Sequence, residues 1–315
     1  MEERKTEGRN PATSNIDTLP TIEMMWVINR EDHKVAAAVE SQIPEIAKTV
    51  DEVYKRLKAG GRLFYCGAGT SGRIGILDAS ECVPTYNVPP TLVQGLIAGG
   101  NKAVFKAVEG AEDDVEACEK ELKERRFTKR DVLVGIAASG TTPYVLGGLK
   151  YARSIGALTV GIACNENPPL ARFCQINITP VVGPEVITGS TRMKAGTAQK
   201  LVLNMISTGV MIRLGKVYGN LMVDLQISNA KLADRACRIV EEVANVDYNT
   251  ASKALEICNG ELKTAIVYLC TKLDTNDARH RLEDCGGSRR NTGSRTGGGS
   301  PKTAKRAVWM QGKSL

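Results

Sequence analysis

Between residues 46 and 180 the chain alternates between two hydrophobic rhythms. One is the helical spacing of Ile46, Val50, Val53, Tyr54 and Leu57. The other is the short apolar run Arg62-Leu-Phe-Tyr-Cys66, which ends on Gly67. A period of three to four lays one helix face on a core, whereas a few consecutive apolar residues bounded by glycine suit a strand buried on both faces. Such runs recur at Thr91–Ile97, Val132–Ala137, Leu158–Ala163 and Gln175–Pro180, with loops of small residues and helical stretches between them. Strands separated by helices predict a parallel sheet covered on both faces, an α/β fold whose ligands bind at the carboxyl ends of the strands.

On either side the pattern changes. Residues 1–45 read as an irregular arm and a first helix, with Asn29-Arg-Glu-Asp32 as a turn or cap. After about Ala233 come short amphipathic helices with turns at Asp247-Tyr-Asn249 and Asn259-Gly260. Residues 46–235 are therefore expected to form the α/β domain and residues 236–287 a small all-helical one. From 288 to 315 the bias to Gly, Ser, Thr, Lys and Arg predicts a disordered basic tail.

A chain of 315 residues, 42% hydrophobic, is long enough to bury this core and a second, smaller one. The net charge of +7 suggests a polyanion partner only until it is located. The seven basic residues after Gly286 (Arg289, Arg290, Arg295, Lys302, Lys305, Arg306 and Lys313) leave 35 basic and 35 acidic residues in the body. A neutral body with 4% aromatics offers neither a basic face nor a stacking platform, so no nucleic-acid partner is expected. No run approaches a membrane span, and the charged start MEERKTEGRN lacks the apolar stretch of a signal peptide, so a cytoplasmic protein is expected. Cys66, Cys82, Cys118, Cys164, Cys174, Cys237, Cys258, Cys270 and Cys285 are an odd, widely spaced set without a CxxC pair. They read as apolar core residues, and no metal site or disulfide framework is expected.

Candidate chemistry lies in the loops. Gly67-Ala-Gly-Thr-Ser-Gly-Arg-Ile-Gly75 follows a strand and opens a helix, so Gly69, Thr70 and Ser71 can offer backbone N–H groups and hydroxyls to an anion. The loop formally contains GxGxxG, the fingerprint of a dinucleotide fold. That fold would place an acid at the end of the next strand, which here reads Gly95-Leu-Ile-Ala-Gly-Gly100. A second hydroxyl loop with Ser139, Gly140, Thr141 and Thr142 also joins a strand to a helix, and two such loops in one sheet can grip one phosphate. A third cluster, Thr188-Gly-Ser-Thr-Arg-Met-Lys194, contributes Ser190 and the cations Arg192 and Lys194. It serves equally well as the capped start of the long helix that follows.

At these residues the chain resembles the N-acetylmuramic acid 6-phosphate etherases of the sugar isomerase (SIS) superfamily. The resemblance runs from Thr6-Glu-Gly-Arg-Asn-Pro11 through GAGTSGRIGILDASE, LIAGG, AVEGAEDD, VGIAASGTTPYV and TGSTRMKAGTAQKLVLNM to GKVYGNLMVD. It departs from the family at Val83, where proline is commoner, and in the basic tail. The resemblance implies a flavodoxin-like sheet order, a phosphosugar ligand, a homodimer with sites near the subunit interface, and catalysis without cofactor or metal. It also implies that Glu81 and Glu112 are the catalytic pair.

The reaction so implied removes the D-lactyl ether, giving N-acetylglucosamine 6-phosphate and D-lactate in cell-wall amino sugar recycling. Glu112 would take the C2 proton of the open-chain sugar, and Glu81 would protonate the leaving ether oxygen and later activate water. Such a division requires Glu81 to be the less solvated of the two. Glu112 lies in an acidic string, Glu109 to Asp114, that would serve equally as the negative first turn of a helix. Glu81, ahead of a turn at Cys82-Val-Pro84, has no such local purpose. His33 and His280, in the arm and the helical region, suit surface or interface roles. Two further readings of the scaffold stand beside the etherase: an aldose-ketose phosphosugar isomerase, and a non-catalytic sugar-phosphate sensor resembling the glucokinase regulatory proteins.

Overall fold

The computed structural model describes residues 5–227 and 229–286, so the basic tail lies outside the described residues. The chain divides into two compact units. One comprises the residues up to Val83 and Val88–Val210, the other Pro84–Asn87 and the residues from Met211 onward.

The first unit opens with 3-10 turns and three helices, α1 (Thr21–Asp32), α2 (Lys34–Glu40) and α3 (Ile43–Lys58). Asn29–Asp32, expected as a turn or cap, is the last turn of α1, and His33 separates it from α2. The rest runs β1 (Leu63–Gly67), α4 (Gly69–Tyr86), β2 (Val93–Ile97), α5 (Asn101–Phe105), α6 (Ala117–Glu124), β3 (Val132–Ile136), α7 (Pro143–Ser154), β4 (Leu158–Ile162), β5 (Ile176–Ile178) and α8 (Lys194–Arg213). All five strands are parallel, in the order β2-β1-β3-β4-β5. This is the flavodoxin-like order that the resemblance implied, and every residue of β1, β3 and β4 is buried.

One side of the sheet packs Phe64, Cys66 and Leu133 against Cys118, Leu122, Tyr144, Val145 and Leu149, with Phe64 edge-on to Phe127 at 5.1 Å between ring centroids. At the amino edge Asp131 accepts from Arg62 N (2.8 Å), Arg62 Nη2 (2.9 Å) and Thr128 N (2.8 Å), which ties the start of β1 to that of β3. Cys66, Cys82, Cys118, Cys164, Cys174, Cys237 and Cys258 are buried free thiols. Burial pushes Cys82, Cys164 and Cys174 up to about 12, so they remain uncharged core residues.

The second unit holds a hairpin, β6 (Val217–Tyr218) with β7 (Leu221–Met222), and four helices: α9 (Ala230–Ala244), α10 (Tyr248–Ile257), α11 (Leu262–Thr271) and α12 (Thr275–Gly286). Asp247 caps α10 by accepting from Thr250 N, and the turn at Asn259-Gly260 separates α10 from α11, as the sequence pattern predicts. The unit nevertheless begins well before residue 236. Val223 and Leu225 belong to its core, with Tyr218, Leu221 and Met222 packed on it, so the hairpin is part of this unit. No helix among the described residues is long and apolar enough to cross a membrane.

Candidate functional site

Gly67 and Ile136, the last residues of β1 and β3, are register partners on adjacent strands. The chain leaves β1 toward β2 on one side and returns to β3 on the other, so the crevice of this open sheet lies between these two strand ends. The two hydroxyl loops leave from these ends, about 5 Å apart. Each feeds a helix, α4 or α7, whose first N–H groups lie at the carboxyl edge of the sheet.

Tight backbone packing sets the first loop. A Cβ on Gly67 would lie 2.7 Å from Gly72 N, and one on Gly72 would lie 2.5 Å from Ile97 Cγ1. The turn therefore folds onto β2 only with glycine at both positions. Gly69 is exposed and Thr70 half-buried, while Ser71 is buried. Ser71 Oγ donates to Gln199 Oε1 at 2.9 Å, so its proton points toward α8 and away from the crevice, a correction to its expected role as a free donor. In the second loop Gly140, at φ +76°, packs where a Cβ would lie 2.4 Å from Pro168 Cβ. Ser139 Oγ and Thr141 Oγ1 share a hydrogen bond of 2.8 Å, and Thr142 stands at the cap of α7 without using its hydroxyl as the cap.

The third cluster separates in function. Ser190 is half-buried and Arg192 exposed, but Lys194 is only 1% exposed. Lys194 Nζ lies 2.6 Å from Glu31 Oε2, so its ammonium is paired inside the protein. The cap of α8 falls to Glu185, wholly buried, which accepts from Lys194 N (3.0 Å) and Ala195 N (2.9 Å). Sequence reasoning passed over Glu31, Glu185 and Gln199. A lone acid in the apolar run Val181–Ile187 was a signal for Glu185, but Glu31 and Gln199 carried none.

The N-terminal arm borders the same loops. Thr6, fully buried, donates from its backbone N to Asn165 Oδ1 (3.1 Å), and Asn165 Nδ2 reaches Ala138 O at 3.3 Å, immediately before Ser139. Thr13 Oγ1 donates to Val186 O at 2.8 Å.

Glu112 sits in a short 3-10 turn, Ala111–Asp113, beyond the carboxyl end of β2. Ala111 anchors this turn on the core, with its Cβ 3.2 Å from a Cβ position on Gly99. Asp114, by accepting from Glu116 N and Ala117 N at 3.0 Å, performs the helix-start role for α6 and leaves the exposed Glu112 out of it.

Glu81 is not at a helix end. α4 continues through Pro84 to Tyr86, and Asp78 within it accepts from Tyr65 Oη (2.9 Å), Asn204 Nδ2 (2.7 Å) and Ser207 Oγ (3.0 Å). At 1.5 Å per residue, Glu81 lies roughly 16 Å from Thr70 along α4. The helix runs back toward the amino edge, with Ile76 already against Gly95 in mid-β2. One copy of the chain thus brings Glu112 and both hydroxyl loops to the carboxyl edge of the sheet but carries Glu81 away from it. Glu81 is also exposed rather than desolvated. Its face of α4 carries Leu77 (52% exposed), one turn before it.

A profile described as the SIS domain matches residues 118–208, and profiles for the glucokinase regulatory protein N-terminal SIS domain and C-terminal lid domain match residues 45–153 and 219–257. In fold the chain is similar to a phosphoheptose isomerase from Francisella tularensis, with a TM-score of 0.50 and 16% identity over 62% of this chain and all of that one. An N-acetylmuramic acid 6-phosphate etherase of Clostridium beijerinckii is 56% identical over 88% of this chain and 91% of its own length. N-acetylmuramic acid 6-phosphate etherase 2 of Vibrio parahaemolyticus is 59% identical over 88% of this chain and 92% of its own. With more than half of the aligned residues shared across nearly its full length, this chain belongs to the N-acetylmuramic acid 6-phosphate etherase family.

Proposed function

We propose that the chain cleaves the lactyl ether of N-acetylmuramic acid 6-phosphate in the cytoplasm, at a site shared between two copies. What supports this reading is that the Gly69–Ser71 loop follows β1, the Ser139–Thr142 loop follows β3 and the turn with Glu112 lies beyond the end of β2, all on the carboxyl side of the sheet. The loop N–H groups and free hydroxyls anchor the phosphate, which sets the sugar carbons across the edge of the sheet.

Glu112 removes the C2 proton, acidic because it neighbours the C1 aldehyde of the open-chain sugar. The electron pair expels the C3 oxygen, which leaves as D-lactate with a proton from Glu81. Glu81 then takes a proton from water as its oxygen adds to C3 of the unsaturated aldehyde, and C2 regains a proton from Glu112. The products are N-acetylglucosamine 6-phosphate and D-lactate. An isomerase would return a proton to C1 and shift one between O1 and O2 but expel no group, so a second carboxylate that protonates a leaving ether oxygen favours the etherase over that rival.

Glu81 reaches the substrate from the second copy. In an isologous dimer, two α4 helices packed antiparallel about a two-fold axis near Leu77 would bring Glu81 of one level with Arg73 of the other, beside its phosphate loop. The exposed Leu77 lies on the face so covered, which also removes Glu81 from water.

Mixing tests both parts. Glu81→Gln and Glu112→Gln proteins should each release no lactate. Mixed dimers contain one intact shared site, so subunit exchange should restore roughly a quarter of wild-type lactate release. No recovery despite proven exchange would place both carboxylates in one chain, and lactate release by either parent would remove that residue from the mechanism.

A further inference from the structure

Among the described residues, two buried side-chain atoms lack a hydrogen-bond partner, Asn177 Oδ1 and Gln199 Nε2. The first is an acceptor on the edge strand β5. The second is a donor, on a residue 1% exposed, directly behind the opening turn of α4, and an orphaned buried donor is the rarer and costlier of the two. Gln199 spends its Oε1 on the proton of Ser71 at 2.9 Å, so the hydroxyl at the phosphate loop has nothing to donate outward while the amide keeps an unused N–H.

We infer that Gln199 is a positioning residue whose amide orientation decides whether Ser71 can donate to the substrate phosphate; this rests on the reading of the Gly69–Ser71 loop as the phosphate site. Rotating the amide by 180° exchanges its two ends. Nε2 then donates to Ser71 Oγ, Oε1 gives up its bond and takes the unpartnered position, and the Ser71 proton turns toward the helix N-terminus. A phosphate oxygen there accepts that proton, so a bound anion favours the rotated amide. Without an anion, Ser71 donates inward. Thr70 takes no part, since its methyl faces α8, with Cγ2 3.2 Å from a Cβ position on Gly196.

The effect must pass through Ser71, which a double-mutant cycle detects. Gln199→Leu removes the hydrogen-bonding groups at similar volume, and should raise KM for the phosphosugar about five- to twenty-fold with kcat within about two-fold. Inhibition by inorganic phosphate should weaken by the same factor. Ser71→Ala should show a similar loss, and the double variant should be no worse than Ser71→Ala alone. Multiplied losses, or a fall in kcat at unchanged KM, would overturn the role of Gln199 while leaving the phosphate loop intact. A Ser71→Ala protein with unaltered phosphate affinity would remove Ser71 from the site and this inference with it. Should Gln199→Leu fail to fold, Gln199→Glu substitutes an acceptor that holds the Ser71 proton and repels the anion. Unchanged phosphate inhibition in that variant would equally refute the idea.

Discussion

Lys194 Nζ and Glu31 Oε2 are 2.6 Å apart with almost no contact with solvent, joining the start of α8 to α1. Removing Glu31 leaves the Lys194 ammonium buried without its carboxylate, and removing Lys194 leaves Glu31 with Lys34 as its remaining cation; breaking a buried pair costs about 3–5 kcal/mol. Glu31→Gln and Lys194→Met are each expected to lose stability on that scale in urea unfolding. The double variant should lose clearly less than the sum of the two, and additive losses would mean that the pair is not coupled.

The same pair sets an acid limit. Burial pushes the Glu31 carboxyl up, but hydrogen bonds from Lys194, Lys34 and Asn10 outweigh it and hold the group down at about 2. A carboxylate depressed on folding stabilises the protein fully above its unfolded value, near 4.5, and loses that contribution as pH falls toward 2. Acid unfolding followed by circular dichroism should therefore steepen between about pH 4.5 and 2. Glu31→Gln/Lys194→Met should lack that component.

Asp131 is 2% exposed and ties Arg62 to Thr128 at the amino edge of the sheet, opposite the proposed site. Asp131→Ala strands several donors and is expected to destabilise the fold by about 2–4 kcal/mol. Calorimetry should show a lower Tm, while KM at a permissive temperature stays at its wild-type value.

Gly140 and Gly60 make a matched pair. Both have φ near +80°, but a Cβ on Gly140 would meet Pro168 whereas one on Gly60 meets open space. Gly140→Ala should displace the second loop and raise KM by at least about ten-fold, whereas Gly60→Ala should cost about 1 kcal/mol and leave KM unchanged. Equal effects on KM would mean that the loop around Gly140 does not touch substrate.

Arg192 remains exposed at the third cluster after Lys194 is committed to Glu31. If it meets the lactyl carboxylate, Arg192→Gln should weaken the substrate about ten-fold but hardly affect inhibition by N-acetylglucosamine 6-phosphate, which lacks that group. Equal losses for both would assign Arg192 to the phosphate or to the loop itself.

Much of this protein can be read along the chain, because the features concerned depend on residues close in sequence. Unbroken apolar runs ending on glycine locate β1, β3 and β4, the glycine-hydroxyl strings locate both loops, and the long resemblance names the family and its two glutamates. Where the chain misled, the deciding partner lay far away in sequence. Lys194 reads equally as a ligand cation or as part of a capped helix start, and Glu31, 163 residues earlier, holds its ammonium. Ser71 looked like a free donor until Gln199 was found on its hydroxyl. Glu81 reads as lying ahead of a turn at Cys82-Val-Pro84, but α4 continues through it and carries Glu81 away from the glycine loop. Periodicity reports only which face of an element is buried; which groups meet there, and which charges cancel, is settled when the packed elements exclude water.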